Sequence, residues 1–289
     1  MKDKMTWEET IEFIRDKEEY KGLVEQAYFE RNLPLNVERF RSGEEYKACL
    51  AYIKEYAPNA KRILDIGCGN GISCISLALD GYDVTAVEPD PSETIGAGAI
   101  RKLKEHYKLD NLEIFEAFAE DINFEDESFD IVYIRQAMHH ANDLDKFIKE
   151  CGRVLKKGGM LFTVRDHVIF NEKDKQWFFE AHPLHKYYGG ENAYKTEEYE
   201  SAMESAGLNV EKKLKYYDSI INYFPMTKDQ YDLLEVEFEL NLKKGLGSKI
   251  GVLSKIPFLY NLYKNKNKGN LRNEMHIAGR MYSYISIKK

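Results

Sequence analysis

Ile63-Leu64-Asp65-Ile66-Gly67-Cys68-Gly69-Asn70-Gly71 is the stretch on which the reading of this chain turns. An aliphatic run meets Gly-x-Gly-x-Gly, and the apolar segment Ile72–Leu79 follows at once. That order predicts a strand, a tight turn and a helix. Glycines permit backbone angles denied to other residues and let a ligand come close to the main chain. A second apolar run, Asp83–Val87, ends at Glu88, where a carboxylate can accept from both hydroxyls of a ribose. The dinucleotide fingerprint is Gly-x-Gly-x-x-Gly. Here Ile72 occupies the place of its third glycine. A pyrophosphate on the helix N-terminus, and with it a nicotinamide oxidoreductase, is therefore disfavoured.

Outward from the turn, strands and helices alternate. Arg62–Ile66, Asp83–Val87, Leu112–Phe115, Phe129–Ile134 and Gly159–Val164 read as strands. Between them lie Ile72–Leu79, a helix capped by Ser92 and reaching Tyr107, and a helix capped by Asn142. The last carries Leu144, Phe147, Ile148, Cys151, Val154 and Leu155 inward, with Lys156 and Lys157 in its last turn and Gly158 at its stop. The alternation predicts an α/β fold: a parallel sheet with helices on both faces. Residues 6–58 read as helices, opened by the capping box Thr6/Glu9, interrupted by Pro34, and ending in a helix from about Gly43 to Tyr56. Downstream come a helix over Thr196–Ala206, a strand over Leu208–Tyr216, an interruption over 219–273 and a last strand, Met281–Ile287. The expected division is 1–58 as an N-terminal helical lid, 59–218 as core, 219–275 as an inserted basic and apolar cap, and 276–289 as the final core strand.

The chain of 289 residues is 43% hydrophobic and 31% charged, enough for a sizeable core, and its formal net charge of -7 argues against a nucleic-acid partner. Four cysteines without a C-x-x-C pair suggest reduced thiols. The charged N-terminus lacks the apolar core of a signal peptide, and a cytoplasmic location is expected.

These residues resemble the class I S-adenosylmethionine (SAM)-dependent methyltransferases, in particular the broad small-molecule group. Asp65–Gly71 is similar to that family's first motif and Glu88 to its ribose-binding acid. Ala119–Phe124 with Asp126–Asp130 resembles its third and fourth motifs, Met138–Asp143 its Leu-His-His-x-x-Asp, and Arg153–Gly159 the approach to its fifth strand. The resemblance covers roughly residues 61–217 and the terminal strand. It implies a seven-stranded sheet in the order 3-2-1-4-5-7-6 with the seventh antiparallel. It also implies SAM as cofactor, held by Asp65, Gly67, Cys68, Gly69, Gly71, Glu88, Pro89, Phe118, Ala119, Glu120, Arg135 and Gln136. Many relatives carry an aspartate where Phe118 stands; the ring can stack on adenine instead, leaving a hydrogen bond to Glu120 or the backbone.

In open α/β sheets ligands sit beyond the carboxyl ends of the strands. Arg135, Gln136, His139 and His140 follow the fourth strand there, and Arg165, Asp166 and His167 the fifth. The expected catalytic set is His167, Asp166, Arg165, Arg135 and His140. His167 would be a base with its tautomer fixed by a carboxylate, and the arginines would orient the acceptor. The structural alternative pairs Arg165 with Asp166 and leaves His139 or His140 packing at a helix start. His182-Pro183-Leu184-His185 and the following Tyr187–Glu191 read as an aromatic, glycine-flexed loop lining the acceptor pocket; metal ligation by these histidines with His140 or His167 is the lesser alternative, and no metal is assigned. Between Asn241 and Asn273, Lys243, Lys244, Lys249, Lys255, Lys264, Lys266, Lys268 and Arg272 intermix with apolar residues and no acid. That mixture suits a solvated basic lid, a phosphorylated acceptor or peripheral contact with an anionic membrane through 241–273. The function expected is methyl transfer to oxygen or nitrogen of a small polar acceptor, carbohydrate-like or phosphorylated. A non-catalytic SAM-binding regulatory module is the alternative. Oligomeric state is left open.

Overall fold

The computed structural model describes residues 4–271 and 273–289, with the backbone alone for 268–271. Met1–Asp3 and Arg272, which entered the reading of the N-terminus and of the basic insertion, lie outside the described residues, as does the side chain of Lys268. Met1–Asn222 with Ala278–Lys289 make one compact unit and Tyr223–Ile277 a second.

The first unit is built on β1 (Arg62–Ile66), β2 (Asp83–Val87), β3 (Leu112–Phe115), β4 (Phe129–Arg135), β5 (Leu155–Ile169), β6 (Tyr194–Lys195), β7 (Leu208–Leu214) and β8 (Met281–Lys288). Their order is β3-β2-β1-β4-β5-β8-β7, with β6 pairing β5. With the two-residue β6 set aside, this is the expected order. β1 to β5 run parallel, and β8 runs antiparallel to both β5 and β7. Strands covered on both faces need near-continuous apolar sequence. Ile63, Leu64, Ile131, Val132, Tyr133, Ile134, Met160, Leu161 and Phe162 supply it, all fully buried. Ile66 pairs with Val87 and Ile134, and Arg135 with Val164, so β1, β2 and β4 end along one edge while β5 runs on beyond it to Ile169. That register gathers Gly67, Glu88, Gln136 and Arg165.

The helices of this unit are α1 (Trp7–Arg15), α2 (Lys21–Gln26), α3 (Leu33–Ser42), α4 (Glu44–Tyr56), α5 (Ile72–Leu79), α6 (Ala97–Tyr107), α7 (Leu144–Val154), α8 (Glu172–Ala181) and α9 (Thr196–Ser205). α7 and α9 cover one face of the sheet: Phe147, Ile148, Tyr199 and Met203 pack on Leu64, Ile66, Val132 and Ile134. Burying one such aliphatic side chain contributes about 1.5–3 kcal/mol.

Several local expectations are corrected. Pro34 lies in the first turn of α3, where its missing N–H costs nothing, and Asn32 caps the helix. Ser92 closes a turn, its Oγ accepting from the amides of Thr94 and Ile95, and α6 starts after Gly96. Asp143, not Asn142, caps α7, accepting from the Lys146 amide at 3.0 Å. α7 stops at Val154 because Leu155 already pairs with Phe129; Lys156 therefore sits in β5 and reaches Asp130 at 2.7 Å. Gly158 (φ 73°) lies within β5 beside a register shift opposite β4.

α10 (Ile220–Tyr223) carries the chain to the boundary of the second unit. Before leaving, Asn222 donates to the carbonyls of Leu214 and Lys215 (2.8 and 3.0 Å) and accepts from Ser283 Oγ of β8 (2.6 Å). Departure and return are thus fastened to each other inside the first unit. The second unit holds α11 (Lys228–Ile250), capped by Thr227, and α12 (Pro257–Leu271), joined by a short 3-10 turn. Among the described residues no helix is long and apolar enough to cross a membrane.

Candidate active site

The glycine turn takes the conformation its composition demands. Gly67, Gly69 and Gly71 have φ of 70°, 55° and 87°. A Cβ on Gly67 would lie 2.4 Å from the Ala137 Cβ, whereas one on Gly69 would find only the Ile95 carbonyl at 3.9 Å. The Gly69 backbone is therefore open to a ligand. Glu88 is buried; its Oε2 accepts from the Gly69 amide (2.7 Å) and its Oε1 from Asp90 (3.0 Å). Each oxygen keeps a further lone pair for a hydroxyl. Asp65 Oδ2 accepts from Ser73 Oγ at 2.6 Å, while Oδ1 is buried with no hydrogen-bond partner among the described residues. Burial pushes both Asp65 and Glu88 up to about 7.

Cys68 is buried with its Sγ 3.0 Å from the Asp65 carbonyl, and burial raises the thiol. It packs the turn rather than reacting. Pro89 and Phe118 are exposed, the latter to 64%, and Ala119 is half-buried. Glu120 is occupied, accepting from the Asn142 amide at 3.0 Å. A partnerless carboxylate oxygen, a ribose-suited acid, an open glycine and an exposed ring can hold an ammonium, a ribose and a flat base in turn.

The arginines do not join His167 as expected. Arg135 makes a bidentate pair with Glu45 of α4 (2.7 and 3.2 Å), its guanidinium 5.2 Å from the Phe40 ring centre. Arg165 (φ 62°) brings Nε to 4.0 Å from the same carboxylate and donates from Nη1 to the Ile221 carbonyl at 2.6 Å. Both guanidiniums thus fasten the N-terminal helices to the sheet edge. Gln136 (φ 52°) donates its amide to the Val164 carbonyl.

Asp166 and His167 turn to a different group. The register shift in β5 between Thr163 and Asp166 parts them from Arg165. The carboxylate expected beside His167 instead takes His139: Asp166 Oδ1 accepts from the His139 amide (3.1 Å) and lies 3.0 Å from its Nδ1. His167 Nδ1 is 2.7 Å from the Gly279 carbonyl, which only accepts; Nδ1 carries the proton and Nε2 is the lone-pair nitrogen. Glu191 stands among them. Its carboxylate is 3.7 Å from His139 Nε2, 4.0 Å from His140 Nε2 and 3.9 Å from His182 Nε2. His140 Nδ1 donates to the Gly190 carbonyl at 3.1 Å, with 39% of the side chain exposed.

Burial works against a charge on His139, but Asp166 and Glu191 outweigh it and raise the imidazole to about 9. Burial, then the neighbouring charge of His139, hold His167 well below its usual range. Burial opposes the Glu191 carboxylate too, yet the histidines around it keep it below the ordinary range.

Sequence reading missed Glu45, and it named Glu191 only as the end of the loop lining the acceptor pocket. Glu45 had a signal: it stands one helical turn before Cys49 on the stripe that buries Cys49 and Ile53. That Glu191 meets three histidines had no signal, since its place depends on the path of residues 182–193.

That loop and the N-terminal segment clasp each other. The Trp7 and Tyr188 rings lie 5.3 Å apart, Phe13 and Tyr187 5.1 Å, and the hydroxyls of Tyr20 and Tyr187 3.1 Å. Tyr28 offers its carbonyl to Asn70 of the glycine turn at 2.6 Å. The Tyr188 hydroxyl is raised by burial and then by the charges of Glu191, Asp90 and Glu88.

Residues 64–163 match the family described as a methyltransferase domain. A ubiquinone biosynthesis O-methyltransferase from Mesorhizobium japonicum is 36% identical over 104 residues, 35% of this chain and 39% of that protein. The chain thus spans about two fifths of that relative's length. Sterol 4-C-methyltransferase strm-1 from Caenorhabditis elegans is 33% identical over 158 residues, 53% of this chain and 46% of that protein. Among solved structures, geranyl diphosphate C-methyltransferase from Streptomyces coelicolor, in complex with Mg2+, geranyl diphosphate and S-adenosyl-L-homocysteine, superimposes with a TM-score of 0.56 at 13% identity over 84% of this chain and 78% of that one. At that identity the likeness is one of fold.

Proposed function

We propose that this chain, a member of the class I SAM-dependent methyltransferases, is an enzyme that methylates a hydroxyl oxygen of a small acceptor. One observation carries the reading: a single sheet edge holds the open glycine turn with Asp65 and Glu88 and, beyond β4 and β5, a buried histidine–carboxylate cluster. SAM supplies an electrophilic methyl group on a sulfonium. Asp65 Oδ1 would receive its ammonium, the Gly67–Gly71 backbone would border its methionine part, Glu88 would accept from its ribose hydroxyls, and Phe118 would stack on its adenine. A hydroxyl acceptor has to lose its proton. His140 is suited to take it, because Nδ1 is committed to Gly190 and Nε2, 4.0 Å from Glu191 at the rim of the cluster, makes no hydrogen bond among the described residues. The clasp of Trp7, Phe13 and Tyr20 on Tyr187 and Tyr188 excludes water. Arg135 and Arg165 hold the N-terminal helices in place and do not bind the acceptor. A reducing compartment such as the cytoplasm suits four cysteines that are all free and buried.

The test is SAM turnover over a panel of sugars, sugar phosphates, phenols and isoprenoid alcohols, with wild type and His140→Gln, beside calorimetry with S-adenosylhomocysteine. Product on a hydroxyl acceptor, lost in the variant while cofactor heat persists, is the expected outcome. Cofactor heat without turnover on any acceptor favours the regulatory module, and no heat sinks both.

The second unit supports peripheral contact with an anionic lipid surface. Val252 is 80% exposed and Phe258 68%, Leu253 and Leu262 are exposed too, and the same stretch of sequence carries exposed Lys243, Lys244, Lys249, Lys255 and Lys266. Exposed apolar side chains interspersed with lysines suit an acidic headgroup layer. Equal sedimentation with neutral and phosphatidylserine-containing vesicles would remove this part of the reading.

A further inference from the structure

The histidine–carboxylate cluster has the make-up of a metal centre. His139, His167 and Glu191 each offer one ligand atom, all within 4.8 Å of one another and all buried. The outer contacts prepare them. His167 gives its Nδ1 proton to the Gly279 carbonyl at 2.7 Å, which leaves Nε2 as a lone pair. His139 turns Nδ1 to Asp166 at 3.0 Å, so its Nε2 faces Glu191. An imidazole anchored at one nitrogen by a carbonyl or a carboxylate is the usual support of a metal-binding histidine. His182 completes the support: its Nδ1 lies 3.4 Å from the Leu184 amide, which only donates, and its Nε2 is 3.9 Å from Glu191 Oε1. Asp166 Oδ2, buried in the same place, has no hydrogen-bond partner among the described residues.

We infer that His139 Nε2, His167 Nε2 and a Glu191 carboxylate oxygen bind one borderline divalent cation of the zinc class. Two imidazoles and one carboxylate suit such an ion better than Mg2+ or Ca2+, which prefer oxygen. At bonds of about 2.1 Å, tetrahedral ligands stand ~3.4 Å apart, so the three atoms draw inward by about an ångström when the ion enters. Glu191 can make that move, since it follows Gly189 and Gly190. Three protein ligands leave a fourth position, open to an acceptor oxygen. The other grouping, Asp65 with Cys68 and Cys74, is unlike this one: both thiols are buried protonated and donate to the carbonyls of Asp65 and Gly71.

The experiment uses the full chain, stripped with chelator and titrated with Co2+ while visible d–d absorption is followed, with Zn2+ competition to give affinity. One equivalent of tetrahedral-type absorption, displaced by Zn2+, is expected. His167→Ala and Glu191→Gln should each weaken it by roughly 100-fold or more, and Asp166→Asn by about 10- to 100-fold. His106→Ala, on exposed α6, should leave it unchanged. S-adenosylhomocysteine heat in each variant reports whether the fold survives, which keeps failure of this site separate from failure of the cofactor reading. Should a variant not fold, X-ray absorption of the wild-type Co2+ protein decides, with about two imidazoles in the shell expected. Absence of saturable absorption, binding that withstands both ligand changes, or a shell without imidazole overturns the assignment.

Discussion

Glu88→Gln tests the cofactor acid through a sign as well as a size. Burial lifts the Glu88 carboxyl from 4.5 to about 7. Between those values the folded protein keeps a proton that the unfolded chain has lost, so stability falls as pH rises and the loss is complete once pH passes 7. At about 1.4 kcal/mol per pH unit the change sums to about 3 kcal/mol. Asp65, lifted from 3.8 to about 7, adds a drop of similar size. The ligand-free protein should therefore be more stable at pH 5 than at pH 7.5, and Glu88→Gln should remove roughly half of that difference. Ligand binding runs the other way. Ribose hydroxyls donate to the ionised carboxylate and pull it down, so binding releases a proton near pH 7 and tightens from pH 6 to pH 8. Two hydrogen bonds to a charged acceptor are lost in the variant, which weakens binding by roughly 10- to 100-fold. Urea unfolding at both pH values and S-adenosylhomocysteine calorimetry in two buffers of different ionisation heat measure all of this. Equal pH slopes for wild type and variant, or binding heat independent of buffer, would refute the reasoning.

Glu45→Ala leaves two buried guanidiniums without their shared carboxylate; a loss of about 3–5 kcal/mol, a melting temperature lower by roughly 10 °C, should appear in calorimetry, and a loss below about 1 kcal/mol would mean the pair is solvated as surface pairs are. Phe118→Ala removes a ring that is already 64% exposed, so melting should stay unchanged while S-adenosylhomocysteine affinity falls about tenfold or more if the ring stacks on adenine. Gly67→Ala sets a Cβ 2.4 Å from that of Ala137 in a left-handed conformation; ligand heat should vanish, and adding Ala137→Gly should restore part of it by removing the clash.

Features set by neighbours in the chain were the legible ones. The turn at 67–71, the acid at 88 and the alternation that orders the sheet are all local, and the strand order follows from them once the family resemblance is granted. Capping was blurred wherever two suitable residues adjoin, as at Asn142-Asp143. Arg165, Asp166 and His167 look like the start of a loop because they are charged, yet they lie buried in β5. Each tolerates burial through a partner far away in sequence: Glu45 and Ile221 for Arg165, His139 for Asp166, and Gly279 for His167. Which of two histidines Asp166 takes depends on a shift of strand register, and no pattern of residue types encodes that shift.

The bond between Asn222 and Ser283 has a consequence for how such a chain can diversify. Because the polypeptide departs and rejoins at points already stitched together, every rung of the sheet ladder lies outside Tyr223–Ile277. A spacer of a few glycines and serines from Asn222 to Ala278 should leave a chassis that still folds and still retains its nucleoside ligand. The same port can receive a payload of different length or sequence, and no strand pairing has to be rebuilt to accommodate it.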